Sequence, residues 1–489
     1  MAKSEWTYGA AGAMAEALAA GKVSALELAD DAIARIEACD GRVNAVCVRD
    51  FERARESARA ADAALARGER RPLLGVPMTV KESYNLAGTP TTWGMPAQRH
   101  FKPAEDALAV ARAKAAGAVV LGKTNVPVYL GDWQSYNDLY GVTNNPHDLA
   151  RSPGGSSGGS AAALALGYGP LSLGSDIGGS LRVPAHFCGV FAHKPTFGIV
   201  PSRGHVPPPF PALPGSVDLA VIGPMARSAA DLARLLDVIA GPDELDDAVG
   251  CRLALPPPRH ERLSDHRVLI LDSHPLVPTD SSVCAAIDAL AGRLVRAGVE
   301  IARKSPLLPD LARGGPLFMR LLMSVLAAGW PPEAYAGSQQ AAAALGDDSS
   351  LAAERLRGAV LSHRDWIAAS FERAGLRARW RALFAAFDAV ICPVAPTPAF
   401  PHDHSADQEA RRIPINGEPH PYLGMLLWPG VATAPGLPAT AMPIGCAPSG
   451  LPIGVQIIGP RFEDRTPLKL AELIEREWGG FVPPPAFDA

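Results

Sequence analysis

The stretch Arg151-Ser-Pro-Gly-Gly-Ser-Ser-Gly-Gly-Ser-Ala-Ala-Ala-Leu164, followed by Leu173-Gly-Ser-Asp-Ile-Gly-Gly-Ser-Leu-Arg-Val-Pro-Ala185, is the most informative part of this sequence. Ten glycines lie between positions 154 and 189. Glycines spaced this closely let the backbone adopt unusual dihedral angles and approach a ligand. Apolar and helix-forming residues directly follow each cluster, which argues against a flexible linker.

Two other interpretations of these glycine-serine clusters stay open from the residues alone. One is a phosphate cradle at a helix N-terminus, although neither cluster has the Walker spacing or an adjacent lysine. The other is nucleophilic catalysis, because Ile177-Gly178-Gly179-Ser180 can present consecutive backbone N–H groups to an oxyanion while Ser180 attacks a carbonyl. The G-x-S-x-G elbow is absent and no nearby histidine has that context, so the base for Ser180 is not identified.

Around this stretch, short β-rich runs alternate with helices. Ser24 to Glu27 forms a capping box that opens an N-terminal helix, and Ser228 to Asp231 is interpreted as a second capping box. The run 118–121 is predicted to be a short buried strand that ends at the following glycine. This alternation predicts an α/β architecture with a sheet covered on both faces.

Charge, cysteine content and hydropathy restrict the possible partners and cellular location of the protein. With 46 Lys and Arg against 50 Asp and Glu, the net charge of −4 provides no basic field for a nucleic acid. The seven cysteines are scattered and never form C-x-x-C, so we expect reduced thiols rather than disulfides or a zinc site. The N-terminus has no apolar h-region, and no run approaches the roughly 18 apolar residues of a membrane span. These features favour a cytoplasmic protein.

The two clusters resemble the signature of the amidase signature family, the serine hydrolases that use a Ser-Ser-Lys triad. The resemblance covers roughly 70–240 and 429–460. Further segments that carry it are Gly75–Lys81, Gly122–Asn125, Asn145–Arg151, His193–Gly198, Gly436–Ala439 and Gly450–Gln456.

By position in these motifs, the resemblance implies that Ser180 is the nucleophile, Ser156 the bridging serine and Lys81 the base. It also implies a cis peptide bond between Gly155 and Ser156. Lys81 must be neutral to accept a proton, and burial without a carboxylate partner lowers a lysine pKa by up to several units.

The resemblance assigns further roles around the triad and implies no metal and no organic cofactor. Backbone N–H groups of Ile177, Gly178, Gly179 and Ser180 would form the oxyanion hole. Supporting roles in the loops are assigned to Ser157, Ser175, Asp176 and Arg182.

Three residues depart from the family pattern. Glu82 stands where an Asp is common, Val128 where many members carry Glu, and Thr433 where an Asn is frequent before Gly436. These departures distance the chain from the A-type subunits of the glutamine amidotransferases.

The fold that the resemblance implies is the α/β amidase signature fold, a central mixed, twisted β-sheet covered by helices on both faces. We expect a single amidase domain over 1–489. Its expected parts are an N-terminal helical layer over 1–70, a signature core over 70–240, a variable substrate-pocket elaboration over 305–430, and C-terminal core strands and a helix over 430–489.

The expected function is hydrolysis of a small-molecule carboxamide, which can be a linear, an aryl or an alkyl amide. Esters are expected as additional substrates. One alternative is a glutamine amidotransferase A-type subunit that works with partner subunits. An alternative of another class is a non-catalytic nucleotide-binding protein that uses the glycine loops. Neither a nucleic acid nor a membrane is expected as a partner, and a homodimer is expected only by analogy with the family.

Overall fold

Residues 4–487, which the computed structural model describes, contain fifteen strands. In chain order they are β1 (Val46–Arg49), β2 (Pro77–Lys81), β3 (Val119–Thr124), β4 (Tyr136–Asn137), β5 (Gly141–Val142), β6 (Leu171–Asp176), β7 (Phe191–Lys194), β8 (Val221–Ala226), β9 (Arg267–Ile270), β10 (Glu300–Ala302), β11 (Ala389–Pro393), β12 (Arg412–Ile415), β13 (Glu418–Pro421), β14 (Ala439–Cys446) and β15 (Pro452–Ile458).

Eleven of these described strands form one mixed sheet, in the order β1-β3-β2-β6-β8-β7-β14-β15-β11-β9-β10. Strand β2 is parallel to β3 and β6, and β9 is parallel to β10 and β11. The other neighbours pair antiparallel. Strands β4 with β5 and β12 with β13 form separate two-stranded sheets.

Fourteen α-helices are present in the same described range. They are α1 (Ala11–Ala19), α2 (Ala25–Val43), α3 (Phe51–Ala66), α4 (Leu108–Ala115), α5 (Gly158–Ala165), α6 (Arg182–Cys188), α7 (Ala229–Ile239), α8 (Ser281–Arg296), α9 (Leu311–Leu326), α10 (Pro332–Ala343), α11 (Leu351–Ala359), α12 (His363–Ala386), α13 (Leu427–Thr433) and α14 (Arg465–Trp478).

Both faces of the large sheet are buried, as the side chains of β11 show. Ala389 and Ile391 belong to one apolar core cluster, whereas Val390 and Cys392 belong to the other. Successive side chains of a strand point to opposite faces, so a hydrophobic core lies on each side of the sheet. The predicted α/β fold with a mixed sheet between helices is confirmed.

Strand β3 differs from its prediction because it continues through Gly122 to Thr124. Strand β1, which the sequence analysis did not predict, pairs antiparallel with β3. A Cβ on Gly122 would lie 2.2 Å from the carbonyl oxygen of Val48 on β1. The glycine therefore permits close approach of the neighbouring strand and does not end β3.

The predicted capping box at Ser228 is only half present. The Ser228 hydroxyl accepts a hydrogen bond from the Asp231 amide at 3.2 Å, as predicted. The Asp231 carboxylate does not return this bond: it accepts from the amides of Ala11 (2.7 Å) and Gly12 (3.0 Å). It thereby satisfies first-turn amides of α1, which would otherwise lack an intrahelical partner. The Ser24–Glu27 capping box is confirmed with both of its bonds.

Glu475 of α14 binds the first amide of α7, and its charge state is predicted to make the stability of the protein depend on pH. Its carboxylate accepts from the Ala229 amide at 2.9 Å. Burial, with the nearby charges of Asp231 and Glu472, raises the pKa of Glu475 from 4.5 to about 7. A raised carboxyl pKa contributes stability that is present below pH 4.5 and is lost as the pH rises through 7.

Glu475→Gln is therefore expected to be more stable than the wild-type protein above pH 7, with the difference shrinking as the pH falls toward 4.5. Urea unfolding of both proteins across this pH range measures the effect. Parallel stability curves for the two proteins would contradict it.

One stretch of the described chain, Leu311–Gly329, is long and apolar enough by length and composition to cross a membrane, with a mean hydropathy of 1.3. Half of it is buried inside the fold, including Leu317, Phe318 and Leu321. Because a helix in a protein core passes the same test, this stretch is weak evidence for a membrane span.

Candidate active site

Lys81 lies at the C-terminal end of β2, where the neighbouring parallel strand β6 also ends. Its side chain is fully buried. The Lys81 Nζ donates to Ser156 Oγ at 2.7 Å and to Ser175 Oγ at 2.8 Å. Parallel strands end at the same edge of a sheet, which is why Lys81 and Ser175 meet here. The second partner, Ser175, was expected only to support the loops.

Burial decides the charge state of Lys81. It lowers the pKa of the amino group well below the usual 10.5, and the negative charge of Asp176 offsets this effect only in part. Burial disfavours the charged form of an amine. The two direct partners of Lys81 are neutral hydroxyl groups, so its amino group is suited to accept a proton.

Ser156 lies in the turn before α5, and the peptide bond between Gly155 and Ser156 is cis, as the resemblance implies. The next residue, Ser157, connects this turn to both neighbouring segments. Its hydroxyl accepts from the Ser175 amide at 3.3 Å, and its own amide donates to the carbonyl oxygen of Ser180 at 3.2 Å. The two glycine-serine clusters are therefore adjacent in space.

Ser180 precedes α6 and is 7% exposed. The backbone contact to Ser157 brings it beside the Lys81–Ser156 pair. In the described part of the chain no hydrogen bond joins the hydroxyls of Ser156 and Ser180. The structure thus pairs the predicted base with the predicted bridging serine and positions the predicted nucleophile next to them through the backbone.

The loop 177–180 presents fewer free amides than expected. The Gly179 amide donates to Asp176 Oδ1 at 2.9 Å, because the carboxylate turns back toward its own loop. Gly179 has a φ of +100°, and a Cβ there would lie 2.7 Å from the Pro429 ring. Within residues 4–487, the amides of Ile177, Gly178 and Ser180 make no hydrogen bond, so three of the four amides of the predicted oxyanion hole are free. The oxyanion hole itself stays a prediction.

Asp176 and Arg182 form a fully buried ion pair under this loop. Arg182 Nε and Nη2 donate to the two Asp176 oxygens at 2.9 and 2.8 Å. Burial alone raises the pKa of the Asp176 carboxyl, but the charge and hydrogen bonds of Arg182 outweigh it and lower this pKa below 3.8. Arg182 also donates to Gln456 Oε1 and Thr433 Oγ1, so the pair connects the loop to the C-terminal core.

The departures from the family pattern lie outside the Lys81–Ser156 contact. Glu82 is buried and accepts from the amides of Thr92 (2.6 Å) and Trp93 (2.9 Å). Val128 is 45% exposed. Thr433 is the hydroxyl that Arg182 contacts, so this substitution lies in direct contact with a predicted loop-support residue.

Trp133 is a residue at this site that the sequence analysis missed. Its indole Nε1 donates to the carbonyl oxygen of Gly178 at 3.0 Å. Trp133 and Gly178 are 45 residues apart, and no local pattern marks such a contact. Trp133 precedes both glycine-serine clusters, so their sequence gives no signal for it either.

Metal binding has no candidate ligand set in the described residues, where no group of three or more His, Cys, Asp or Glu side chains could hold an ion. The two histidines of the proline-rich segment, His402 and His404, make other contacts. His402 Nε2 lies 3.1 Å from Asn144 Oδ1. The His404 ring stacks on Tyr136 with their centroids 3.9 Å apart.

Comparison with known proteins assigns the chain to a family. The sequence profile of the Amidase family matches residues 27–468. The chain is 33% identical to the A-type subunit of the Glutamyl-tRNA(Gln) amidotransferase of Roseiflexus sp. (strain RS-1), over 96% of each protein. It is 34% identical to AtzE, a 1-carboxybiuret hydrolase component of Pseudomonas sp. (strain ADP), over 94% of this chain and 96% of that protein. Native peptide amidase from Stenotrophomonas maltophilia superposes with a TM-score of 0.77 at 27% identity, covering 99% of this chain and 100% of that one.

Proposed function

This chain belongs to the amidase signature family, and from that premise we propose that it hydrolyses a small-molecule carboxamide to a carboxylate and an amine or ammonia, through an acyl-enzyme on Ser180. The observation that carries the proposal is the 2.7 Å contact between the buried Lys81 amino group and the Ser156 hydroxyl. This contact joins a group suited to accept a proton to Ser156. The next residue, Ser157, donates its amide to the carbonyl oxygen of Ser180.

The proposed reaction begins with two proton transfers. Neutral Lys81 accepts the proton of Ser156, which accepts the proton of Ser180 as the Ser180 oxygen attacks the amide carbon. The resulting oxyanion accepts hydrogen bonds from the free amides of Ile177, Gly178 and Ser180. The proton then returns through Ser156 to the nitrogen of the leaving amine, and the C–N bond breaks. Water cleaves the acyl-enzyme by the same relay.

Ser175 has a distinct part in this scheme. A neutral amino group has two N–H donors and one lone pair. In the reactive state, one N–H of Lys81 donates to Ser175 Oγ, at the observed 2.8 Å, while the lone pair faces the Ser156 proton. Ser175 thus orients the base and does not itself receive the proton of Ser180.

A second candidate is a glutamine amidotransferase A-type subunit with partner subunits, which the 33% identity to the Roseiflexus protein over 96% of both chains favours. The departures at Glu82, Val128 and Thr433 count against it. The cytoplasmic location and the homodimer also stay predictions.

Turnover on a panel of aliphatic, aryl and amino-acid amides, with glutamine included, tests the proposed function. We expect carboxylate release from at least one carboxamide and loss of this release in Ser180→Ala. Ser172→Ala is a matched control, because this buried serine on β6 bonds to the Thr79 hydroxyl and not to Lys81. Glutamine turnover that requires added partner subunits would favour the second candidate. Unchanged turnover in Ser180→Ala, or ATP binding without hydrolysis, would overturn the proposal.

A further inference from the structure

The peptide group between Gly178 and Gly179 is fixed at both ends. Its carbonyl oxygen accepts from Trp133 Nε1 at 3.0 Å, and its N–H donates to Asp176 Oδ1 at 2.9 Å. This peptide lies between the amides of Gly178 and Ser180, which are two of the three free donors of the loop. It contributes no free donor of its own.

Fixing this peptide also fixes the direction of its neighbours. A peptide group is planar, so the relative direction of the Gly178 and Ser180 amides depends on the dihedral angles at Gly178 and Gly179. Glycine has the widest choice of these angles of any residue. Two hydrogen bonds to one plane remove most of this freedom without occupying the free amides.

Resting on the proposed function, we infer that Trp133 is a positioning residue of the oxyanion hole: its indole N–H holds the Gly178–Gly179 peptide so that the amides of Gly178 and Ser180 converge on one point. Trp133 touches neither the substrate nor the reacting atoms in this account. Its effect is transmitted through the backbone that it fixes.

Trp133 is itself held in place by a buried polar network. The residue is 7% exposed, and its ring packs edge-on against Tyr422, with the centroids 5.3 Å apart. The Tyr422 hydroxyl donates to Asp132 Oδ1 at 2.5 Å, and Arg411 Nη1 donates to Asp132 Oδ2 at 2.6 Å. Arg411 and Tyr422 both lie in 305–430, the expected variable segment. This segment therefore supports the oxyanion loop through Trp133.

Replacing Trp133 by 3-benzothienylalanine tests the inference, because the replacement keeps the shape of the ring and removes only the N–H donor. Loss of one direct oxyanion donor costs roughly 10²–10³ in kcat. An indirect loss of alignment should cost less, so we expect kcat to fall by about tenfold. We expect KM to stay unchanged, since the oxyanion forms only after attack. The rate of fluorophosphonate labelling at Ser180 should fall in parallel.

Trp428 is the matched control. It is fully buried, and its indole donates to Thr279 Oγ1 at 3.2 Å, outside the 176–180 loop. The same replacement there should cost similar stability and leave kcat unchanged. Wild-type kcat and labelling rate in the Trp133 variant would overturn the inference, as would a higher KM at unchanged kcat. Failure of the proposed function would look different, because the wild-type protein itself would then not be labelled at Ser180.

Discussion

Replacing Lys81 by methionine is expected to lower kcat for amide hydrolysis by at least about 10⁴-fold, because general-base catalysis is lost and the relay works as a unit. Methionine is apolar and of similar length, so it fills the buried site without the cost of burying an amine. The fold should therefore survive, as circular dichroism and thermal unfolding would show. Turnover of the best amide from the panel measures the catalytic loss.

Lys123→Met is the matched control for this change. Lys123 is also a fully buried lysine near the end of a strand, and burial lowers its pKa to about 8. Its amino group donates to Pro90 O and Thr91 Oγ1, with no contact to Ser156. We expect this variant to retain turnover. Near wild-type rates in Lys81→Met would show that the Ser-Ser-Lys relay is wrong.

The dependence of kcat/KM on pH tests the charge state of Lys81 independently. The wild-type kcat/KM should fall as the pH drops through the pKa of Lys81, because only the neutral amine accepts a proton. Since burial holds this pKa well below 10.5, activity should already be high at pH values where an exposed lysine is fully charged. An acid limb centred near 10.5 would contradict the neutral Lys81.

The largest loss of stability is expected for Arg182→Met. This change leaves the Asp176 carboxylate buried without its guanidinium partner, and breaking a buried ion pair in this way costs about 3–5 kcal/mol. It also removes the bonds of Arg182 to Gln456 and Thr433. Urea unfolding at about pH 7 measures the free-energy difference, because Asp176 of the wild-type protein, whose pKa is lowered below 3.8, is ionised there.

The control for this measurement is Arg262→Met. Arg262 also pairs with an aspartate, Asp265, but the arginine side chain is 78% exposed. Exposed ion pairs contribute little because water and salt screen them. An unfolding free energy for Arg182→Met equal to that of Arg262→Met would show that the buried pair does not anchor the loop.

Much of the candidate site could be predicted from the sequence, because its three central residues lie in motifs that follow one another in the same order as in the amidase signature family. The predicted positions of Lys81, Ser156 and Ser180 follow from the resemblance. The α/β class follows from the alternation of short apolar runs and helical periodicity.

Other features could not be read in this way because they depend on side-chain directions in space. Asp231 has the right spacing for a capping box, yet its carboxylate reaches α1, which is about 220 positions away. The carboxylate of Asp176 removes Gly179 from the set of free amides, although the sequence presents four amides in a row. Trp133 reaches Gly178 only because the fold brings their two loops together.

Mass spectrometry of the protein after reaction with a fluorophosphonate tests whether Ser180 is the nucleophile. We expect one covalent adduct, on Ser180, which is absent in Ser180→Ala and forms far more slowly in Lys81→Met. The absence of an adduct in the folded wild-type protein, or an adduct on a different serine, would contradict it.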